Sequence, residues 1–303
     1  FSTDVSLETK KEIFYQKLID NQFLQYKSFT NIIEKLVSMH PEEPLFHLIL
    51  ADLYAKEKKY QMAIAEYYLS LYSGFIKDDY VYNKLIQMYW QQENITDLLV
   101  IALEAIDRFP FSPEFYYYQG LAFSTQKKYE LSLESLLKGK DYIFDNDLLK
   151  SDFYSLIGDM YHKLENHKES DKSYINALKY NPDNILVLNN YSYYLSQREE
   201  NLPKAKEMII KCLELSGNAQ NASYIDTYAW VLYKLGEYSL ARDQIEKALR
   251  ITQSNPVLLD HYGDILYKLG MKEDAIIYWE KSYKLDPANL KLENKIINST
   301  QNE

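Results

Sequence analysis

The chain has 303 residues, of which 47% are apolar and 26% charged, a balance typical of a folded protein and not of a disordered one. Its formal net charge of −10 would repel a phosphate backbone, so nucleic acid is not an expected partner. No run approaches about eighteen apolar residues, and the sequence therefore predicts no transmembrane segment. A single cysteine excludes an internal disulfide framework.

The chain begins at Phe1 without an initiator methionine. Such a start indicates either a shortened sequence or the remainder after an export signal was removed, and the residues leave both interpretations open. We expect the protein to lie on the cell-envelope side and not in the cytoplasm. Whether a lipid-bearing cysteine precedes Phe1 is left open. We expect residues 1–9 to form a disordered tail and residues 10–43 to form a degenerate helix pair.

From residue 44 onward, small side chains recur every 34 to 38 residues, and an aromatic or aliphatic residue follows each of them three positions later. Two further columns of mostly small residues lie about twelve and nineteen positions downstream of the first. Small residues are expected where two helices cross, because larger side chains would push the axes apart. The first column contains Ala51, Ile86, Gly120, Gly158, Ser192, Ala229 and Gly263, and the aromatic or aliphatic column contains Tyr54, Tyr89, Phe123, Tyr161, Leu195, Leu232 and Leu266.

The final unit, between Pro256 and Pro287, resembles the tetratricopeptide repeat, whose consensus over about 34 residues is Trp-x2-Leu-Gly-x2-Tyr followed by Ala, Phe and Pro. This resemblance implies an all-α fold, a right-handed α-solenoid or superhelix of antiparallel helix pairs. The last hundred or so residues look like bacterial tetratricopeptide proteins. The matching positions are Leu259, Tyr262, Gly263, Leu266, Ala275, Trp279, Ser282 and Pro287.

The resemblance covers residues 44–287 as seven units. Ile86 and Leu98 depart from it, because large residues occupy small positions of the second unit. The third unit has a four-residue excess through residues 141–150, which suggests a longer second helix or a longer loop. Residues 290–303 are predicted to form a C-terminal capping helix and tail. The seven units span about 44–78, 79–112, 113–150, 151–184, 185–221, 222–255 and 256–289.

The sequence offers no constellation for catalysis. All eight glycines have places in crossings, turns or connections, so none is left for a phosphate-binding loop. His162 and His167 are five positions apart, not the four that put two imidazoles on one helix face for zinc, and a solvated turn is preferred to a metal site. Cys212 lies in a small column, which indicates a buried structural thiol. We expect no catalytic residue, no metal, no cofactor and no enzyme activity.

In the family, the first helix of each pair lines the inner, concave curve, and the resemblance implies which positions face it. Tyrosine and tryptophan often anchor interfaces, although with 30 tyrosines some would fall on this face in any case. Ser155, Asp159, His162 and His261 occupy equivalent positions, and His261 with Asp264 is interpreted as an ordinary exposed pair. The implied partner-binding residues are Tyr80, Asn83, Gln87, Trp90, Tyr117, Leu121, Asn189, Asn190, Tyr193, Asp226, Trp230, Tyr233, Asp260, Asp264 and Tyr267.

The charged residues at these positions restrict the class of partner that is expected. Family members that hold a terminal carboxylate need lysine and arginine around a central asparagine, and the neighbours of Asn190 supply no cation. Asp159, Asp226, Asp260 and Asp264 instead favour a basic or neutral ligand over an acidic one.

We therefore expect a non-catalytic scaffold or adaptor that binds a protein or peptide on its concave face, with assembly of a bacterial cell-envelope complex as one setting. A second hypothesis is a sensor or regulator that binds a short free peptide. A third, less favoured because acid–base candidates are so few, is an enzyme subunit.

Overall fold

The computed structural model describes residue 9 and residues 27–72, 79–217 and 221–300. These ranges contain sixteen α-helices and no strand, in agreement with the all-α prediction. The chain divides into two compact units, Phe1–Tyr142 and Ile143–Glu303. Within each unit, helices pair in sequence order; we call the first helix of a pair the A helix and the second the B helix.

Among its described residues, unit 1 has a single helix followed by three pairs. The single helix, α1 (Lys27–Met39), packs against α2, where the hydroxyl of Tyr54 donates to Glu34 at 2.8 Å. The predicted tail, apart from Thr9, and residues 10–26 of the predicted degenerate pair lie outside the described residues. The pairs are α2 (Pro44–Lys56) with α3 (Tyr60–Tyr72), α4 (Tyr80–Gln91) with α5 (Ile95–Arg108), and α6 (Pro113–Thr125) with α7 (Tyr129–Lys140).

Unit 2 has four pairs and one terminal helix. Each A helix packs on its own B helix, and from the second pair of the unit onward also on the B helix before it, so buried apolar residues form layers between successive pairs. The terminal helix, α16 (Leu290–Thr300), covers the last pair with its buried Leu292 and occupies the predicted capping region. The pairs are α8 (Asp147–Lys163) with α9 (His167–Tyr180), α10 (Ile185–Arg198) with α11 (Leu202–Ser216), α12 (Ala222–Lys234) with α13 (Tyr238–Ile251), and α14 (Pro256–Lys268) with α15 (Lys272–Leu285).

Small residues of the first column face bulky side chains of the paired B helix. A Cβ atom added at Gly263 would lie 2.4 Å from the ring of Trp279, and one added at Gly158 would lie 2.9 Å from Tyr174. These approaches are closer than van der Waals contact, so the crossing depends on the missing side chain. Each unit is thus an α-solenoid of closely packed helix pairs.

The second pair reverses this arrangement. Ile86 occupies the small position of α4, and the B-helix position sixteen residues later, which holds Leu136, Tyr174 or Trp279 in other pairs, holds Ala102. Ile86 and Ala102 are both fully buried. The departure of Ile86 from the repeat pattern is therefore compensated by a small residue on the partner helix.

The extra residues of the third unit do not lengthen its B helix. Helix α7 ends at Lys140, and the next A helix, α8, begins at Asp147 and is 17 residues long, where most A helices have 12 to 14. Its N-terminus is capped by Asn146, whose side chain accepts from the amide of Leu149 at 3.0 Å. Of the two predicted alternatives, the longer second helix is thus wrong; the added length lies in the loop and in the following A helix.

Candidate partner-binding face

The A helices carry the sequence-predicted binding residues, and we call the sets of the two units the unit 1 A-helix face and the unit 2 A-helix face. Six lie on the unit 1 A-helix face: Tyr80, Asn83, Gln87, Trp90, Tyr117 and Leu121. Nine lie on the unit 2 A-helix face: Asn189, Asn190, Tyr193, Asp226, Trp230, Tyr233, Asp260, Asp264 and Tyr267.

A buried pair joins α12 to α14 on the unit 2 A-helix face. Nδ1 of His261 lies 2.8 Å from Oδ1 of Asp226, and both side chains are almost inaccessible to solvent. Burial by itself lowers the pKa of His261, but the charge of Asp226 and its hydrogen bond outweigh burial and hold that pKa above its usual value. The pair therefore links two successive repeats. The carboxylate of Asp226, named above as a predicted binding residue, is engaged by His261 instead of facing solvent.

Trp230 is fixed between ring neighbours beside this pair. Its ring lies 4.0 Å from the ring of His261 and 4.7 Å from that of Tyr233, with planes inclined by 16° and 12°. The ammonium group of Lys234 lies 5.2 Å from the Trp230 ring and also contacts Glu199 at 2.8 Å. The indole is consequently a rigid part of the face instead of a loosely exposed anchor.

Lys295 of α16 reaches back to two carboxylates of α14. Its Nζ atom lies 2.7 Å from Oδ1 of Asp260 and 2.7 Å from Oδ1 of Asp264. Asp264 also accepts a hydrogen bond from Nε1 of Trp279 at 3.1 Å. Burial alone lowers the pKa of Lys295, but the two carboxylates outweigh it and raise that pKa. Both aspartates thus share one internal cation.

Asp159 is a fourth carboxylate that is engaged within unit 2. It accepts hydrogen bonds from the hydroxyl of Tyr174 at 2.5 Å, the amide of Asn190 at 3.4 Å and the hydroxyl of Tyr194 at 3.4 Å. Burial raises its pKa in spite of these donors. Asn189 in turn donates to Oδ1 of Asn190 at 3.0 Å. The two predicted asparagines therefore belong to one hydrogen-bonded cluster.

One arrangement recurs in the first, fourth and seventh pairs. An aspartate directly after the small position accepts a hydrogen bond from an aromatic residue fifteen positions later and another from the helix that follows the pair. This signal could have identified Asp52, which is absent from the predicted set, as are Tyr194 and Lys295. The aspartates are Asp52, Asp159 and Asp264; the aromatic donors are Tyr67, Tyr174 and Trp279; the donors from the next helix are Tyr80, Asn190 with Tyr194, and Lys295.

The unit 1 A-helix face leaves its aromatic side chains more accessible. Trp90 is 41% exposed and lines a cavity of about 550 Å³ together with Glu93, Ile95 and Thr125. Tyr80 is also exposed, with the ammonium group of Lys84 5.1 Å from its ring. Among the other predicted residues, Gln87 is exposed, whereas Asn83, Tyr117 and Leu121 are half-buried.

Four buried polar atoms on the A helices of unit 2 have no hydrogen-bond partner among the described residues: Nδ1 of His162, Oδ1 of Asn189, Nη1 of Arg198 and Nε1 of Trp230. Burial, with the nearby cations Lys163, His167 and Arg198, lowers the pKa of His162 to about 4, so this ring is neutral near pH 7. An unsatisfied buried polar atom costs about 1–3 kcal/mol. A ligand that supplies matching donors and acceptors would recover part of that free energy.

A family comparison accounts for the repeated pattern. The tetratricopeptide repeat profile matches residues 21–286, which is most of the chain. The chain belongs to the tetratricopeptide repeat family. No curated protein matches it in the corresponding sequence comparison.

Solved structures show the same fold at low sequence identity. A tetratricopeptide repeat protein from Parabacteroides merdae ATCC 43184 has a TM-score of 0.62 at 12% identity, with 88% of this chain and 98% of that chain covered. A chain of the APC/C hetero-tetramer Cut9–Hcn1 gives 0.68 at 12% identity and covers 89% of this chain, which spans only 52% of the other. PilW, a type IV pilus biogenesis factor, gives 0.55 at 18% identity over 63% and 86% of the two chains. These tetratricopeptide structures establish the fold alone.

Two interpretations of histidines in this tetratricopeptide chain are wrong. His162 does not belong to a solvated turn, because its ring stacks on that of Tyr194 at 3.5 Å and is half-buried. His261 does not form an exposed pair with Asp264, because it is buried against Asp226. Within the described ranges, no group of three or more His, Cys, Asp or Glu side chains is arranged to hold a metal ion.

Two other features are the environment of the cysteine thiol and the length and apolar character of the helices. Cys212 is fully buried, and burial raises the pKa of its thiol to about 11, in keeping with a structural residue. Among the helices that the structure describes, none is both long and apolar enough to cross a membrane.

Proposed function

We propose that the chain is a non-catalytic scaffold that binds a protein or peptide through the unit 2 A-helix face. The observation that supports this most is the combination of fixed aromatic rings, such as Trp230, with buried polar atoms that have no partner in the described residues. Aromatic side chains held in place lose little entropy on binding, and unsatisfied polar atoms reward a ligand that pairs with them.

The ion pairs of this face argue for an uncharged segment of the partner. Asp226 is paired with His261, and Asp260 and Asp264 are paired with Lys295. A basic ligand would have to displace these internal cations, which removes most of the electrostatic gain expected for it. We propose a neutral segment whose backbone amides pair with groups such as the Asn189 amide, and we expect its affinity to depend weakly on salt.

Assembly of a bacterial cell-envelope complex is the setting that we propose. It is supported by the resemblance of the last repeats to bacterial tetratricopeptide sequences and by the fold shared with PilW, whose role is in type IV pilus biogenesis. Fractionation of the source cells would test this setting, since recovery of the full-length protein only in the cytosol would contradict it.

Photo-crosslinking tests the binding face directly. Benzoylphenylalanine is placed at Tyr267, which is 39% exposed on the unit 2 A-helix face, or at Ile277, which is 46% exposed on the outer side of α15. We expect irradiation in extracts of the source cells to give the same crosslinked partner repeatedly from position 267 and not from position 277. Asn189→Ala should weaken that crosslink without lowering the melting temperature by more than a few degrees.

Crosslinked partners that are identical at positions 267 and 277 would contradict the assignment of this face. A crosslink that tracks Ile277 alone would move the binding surface to the B helices.

A further inference from the structure

A second groove in unit 2 lies beside the B helices and differs in character from the A-helix face. It is formed by the end of α13, the loop before α14 and the second half of α15, and it encloses about 530 Å³. Its floor is apolar and consists of Leu249, Leu259, Tyr278 and Leu285. The ring of Tyr278 is held edge-on against Tyr262 at 4.5 Å, so the floor is pre-formed.

Two lysines border this apolar floor. Lys281 and Lys284 form no ion pair with any residue that the structure describes, and Nζ of Lys281 lies 4.5 Å from the ring of Tyr278. The acidic neighbours in sequence, Glu280 and Asp286, are exposed and make no ion pair with them. In a chain of net charge −10, two cations without a counter-ion beside an apolar surface favour an anionic ligand.

The two lysines are not a general property of the repeat. One pair earlier the equivalent residues, Lys247 and Arg250, are also cations, with Lys247 in contact with Gln244, whereas two pairs earlier Lys211 is paired with Asp183. At the equivalent positions of α5 in unit 1 the residues are Glu104 and Asp107. A lysine in the last helical turn also interacts favourably with the helix dipole, so a cation at this place would not by itself indicate a ligand. The apolar floor next to both cations is the feature that indicates one.

We propose that this groove binds an acidic segment of a partner protein, in which a carboxylate lies next to an apolar side chain. The apolar side chain covers the floor around Tyr278, and the carboxylate lies between Lys281 and Lys284. Gln253 and Ser254 on the rim donate to and accept from the peptide backbone. A fatty acid would leave these two side chains unpaired, and inorganic phosphate would leave the floor uncovered.

The test uses a phage-displayed library of random twelve-residue peptides selected on the full chain. Enriched peptides are synthesised with a fluorescein label and titrated by fluorescence anisotropy at about 0.1 M salt. We expect enriched sequences to combine acidic residues with aliphatic or aromatic ones. We expect the double variant K281E/K284E to bind them at least about tenfold more weakly. Tyr278→Ala should weaken binding as well, because it removes part of the floor.

A matched control carries the same charge change away from the groove. K268E/K272E alters two exposed lysines at the other end of α14 and α15, and it should change affinity by less than about twofold. Melting temperatures within a few degrees of the parent would show that all variants are folded.

Three results would overturn the proposal: enrichment without acidic residues, equal binding to K281E/K284E, or full competition by palmitate or by inorganic phosphate. Tyr267→Ala on the A-helix face should leave binding of the acidic peptides unchanged. A failure of the A-helix-face proposal is therefore distinguishable from a failure of this one.

Discussion

The two units use equivalent positions of their A helices in different ways. On the unit 1 A-helix face, Tyr80 and Trp90 remain exposed. On the unit 2 A-helix face, Trp230 is stacked against His261, and the carboxylates are paired with residues of the following helix. The repeat thus sets the spacing of the helices, while the residue that the next helix directs back decides how the aspartate is paired: the neutral hydroxyl of Tyr80 for Asp52 in unit 1, and the cation Lys295 for Asp264 in unit 2.

Ile86→Ala should have the largest effect among single substitutions that test how each unit packs its first column. Ile86 is fully buried in unit 1, and its replacement leaves a cavity because Ala102 on the partner helix is already small. The expected loss is about 2–5 kcal/mol in the free energy of unfolding, measured with urea. Adding Ala102→Leu should recover part of that loss, and a double variant no more stable than Ile86→Ala would contradict the compensation.

Asp226→Asn should destabilise the protein by about 1.5–3 kcal/mol near pH 6, because it removes a charged partner from the buried His261. The pKa of His261 is raised in the folded state. The pair's stabilisation is therefore fully present below the unfolded pKa of about 6.5 and is lost as pH rises through the higher folded value. Melting curves from pH 5.5 to about 9 should show this decline in the parent and a flatter profile in the variant.

Asp243→Asn is the control for that pH profile, since Asp243 is an exposed aspartate on α13. It should keep the decline of the parent. Equal slopes for Asp226→Asn and Asp243→Asn would show that the histidine pair does not govern the pH dependence.

Gly263→Leu should cost about 1–3 kcal/mol, because any side chain at this position meets the ring of Trp279. It is the counterpart of Ile86→Ala: the same column tolerates no enlargement at Gly263 and no reduction at Ile86. Glu280→Ala, on an exposed position of α15, should change the free energy of unfolding by less than about 0.5 kcal/mol. Equal melting temperatures for these two variants would contradict the helix register.

The small-residue column could be predicted from the sequence because a helix crossing restricts side-chain volume every thirty-odd residues, as Gly158 and Gly263 show. The compensation at Ile86 could not be found in the same way, since it depends on Ala102 in another helix. Similarly, the positions of Asp226 and Asp260 on the A helices follow from the repeat, whereas their pairing does not. That pairing joins residues that are 35 positions apart in sequence. The family positions that face the groove are assigned one residue at a time and therefore carry no information on such pairs.

The turn between the A and B helices allows a direct comparison of the two units, and it gives the smallest expected change in the free energy of unfolding. This turn requires a left-handed backbone: φ is +60° at Lys127 in unit 1 and +80° at Gly236 in unit 2. Because a side chain is strained in this region, Gly236→Ala should destabilise by about 1 kcal/mol, whereas Lys127→Gly should stabilise by about 0.5 kcal/mol. Lys247→Gly, at an exposed position inside α13, should instead destabilise by about 1 kcal/mol as an ordinary helical site. Urea unfolding of the three variants tests this: if Lys127→Gly loses as much stability as Lys247→Gly, the left-handed turn is not a shared requirement of both units.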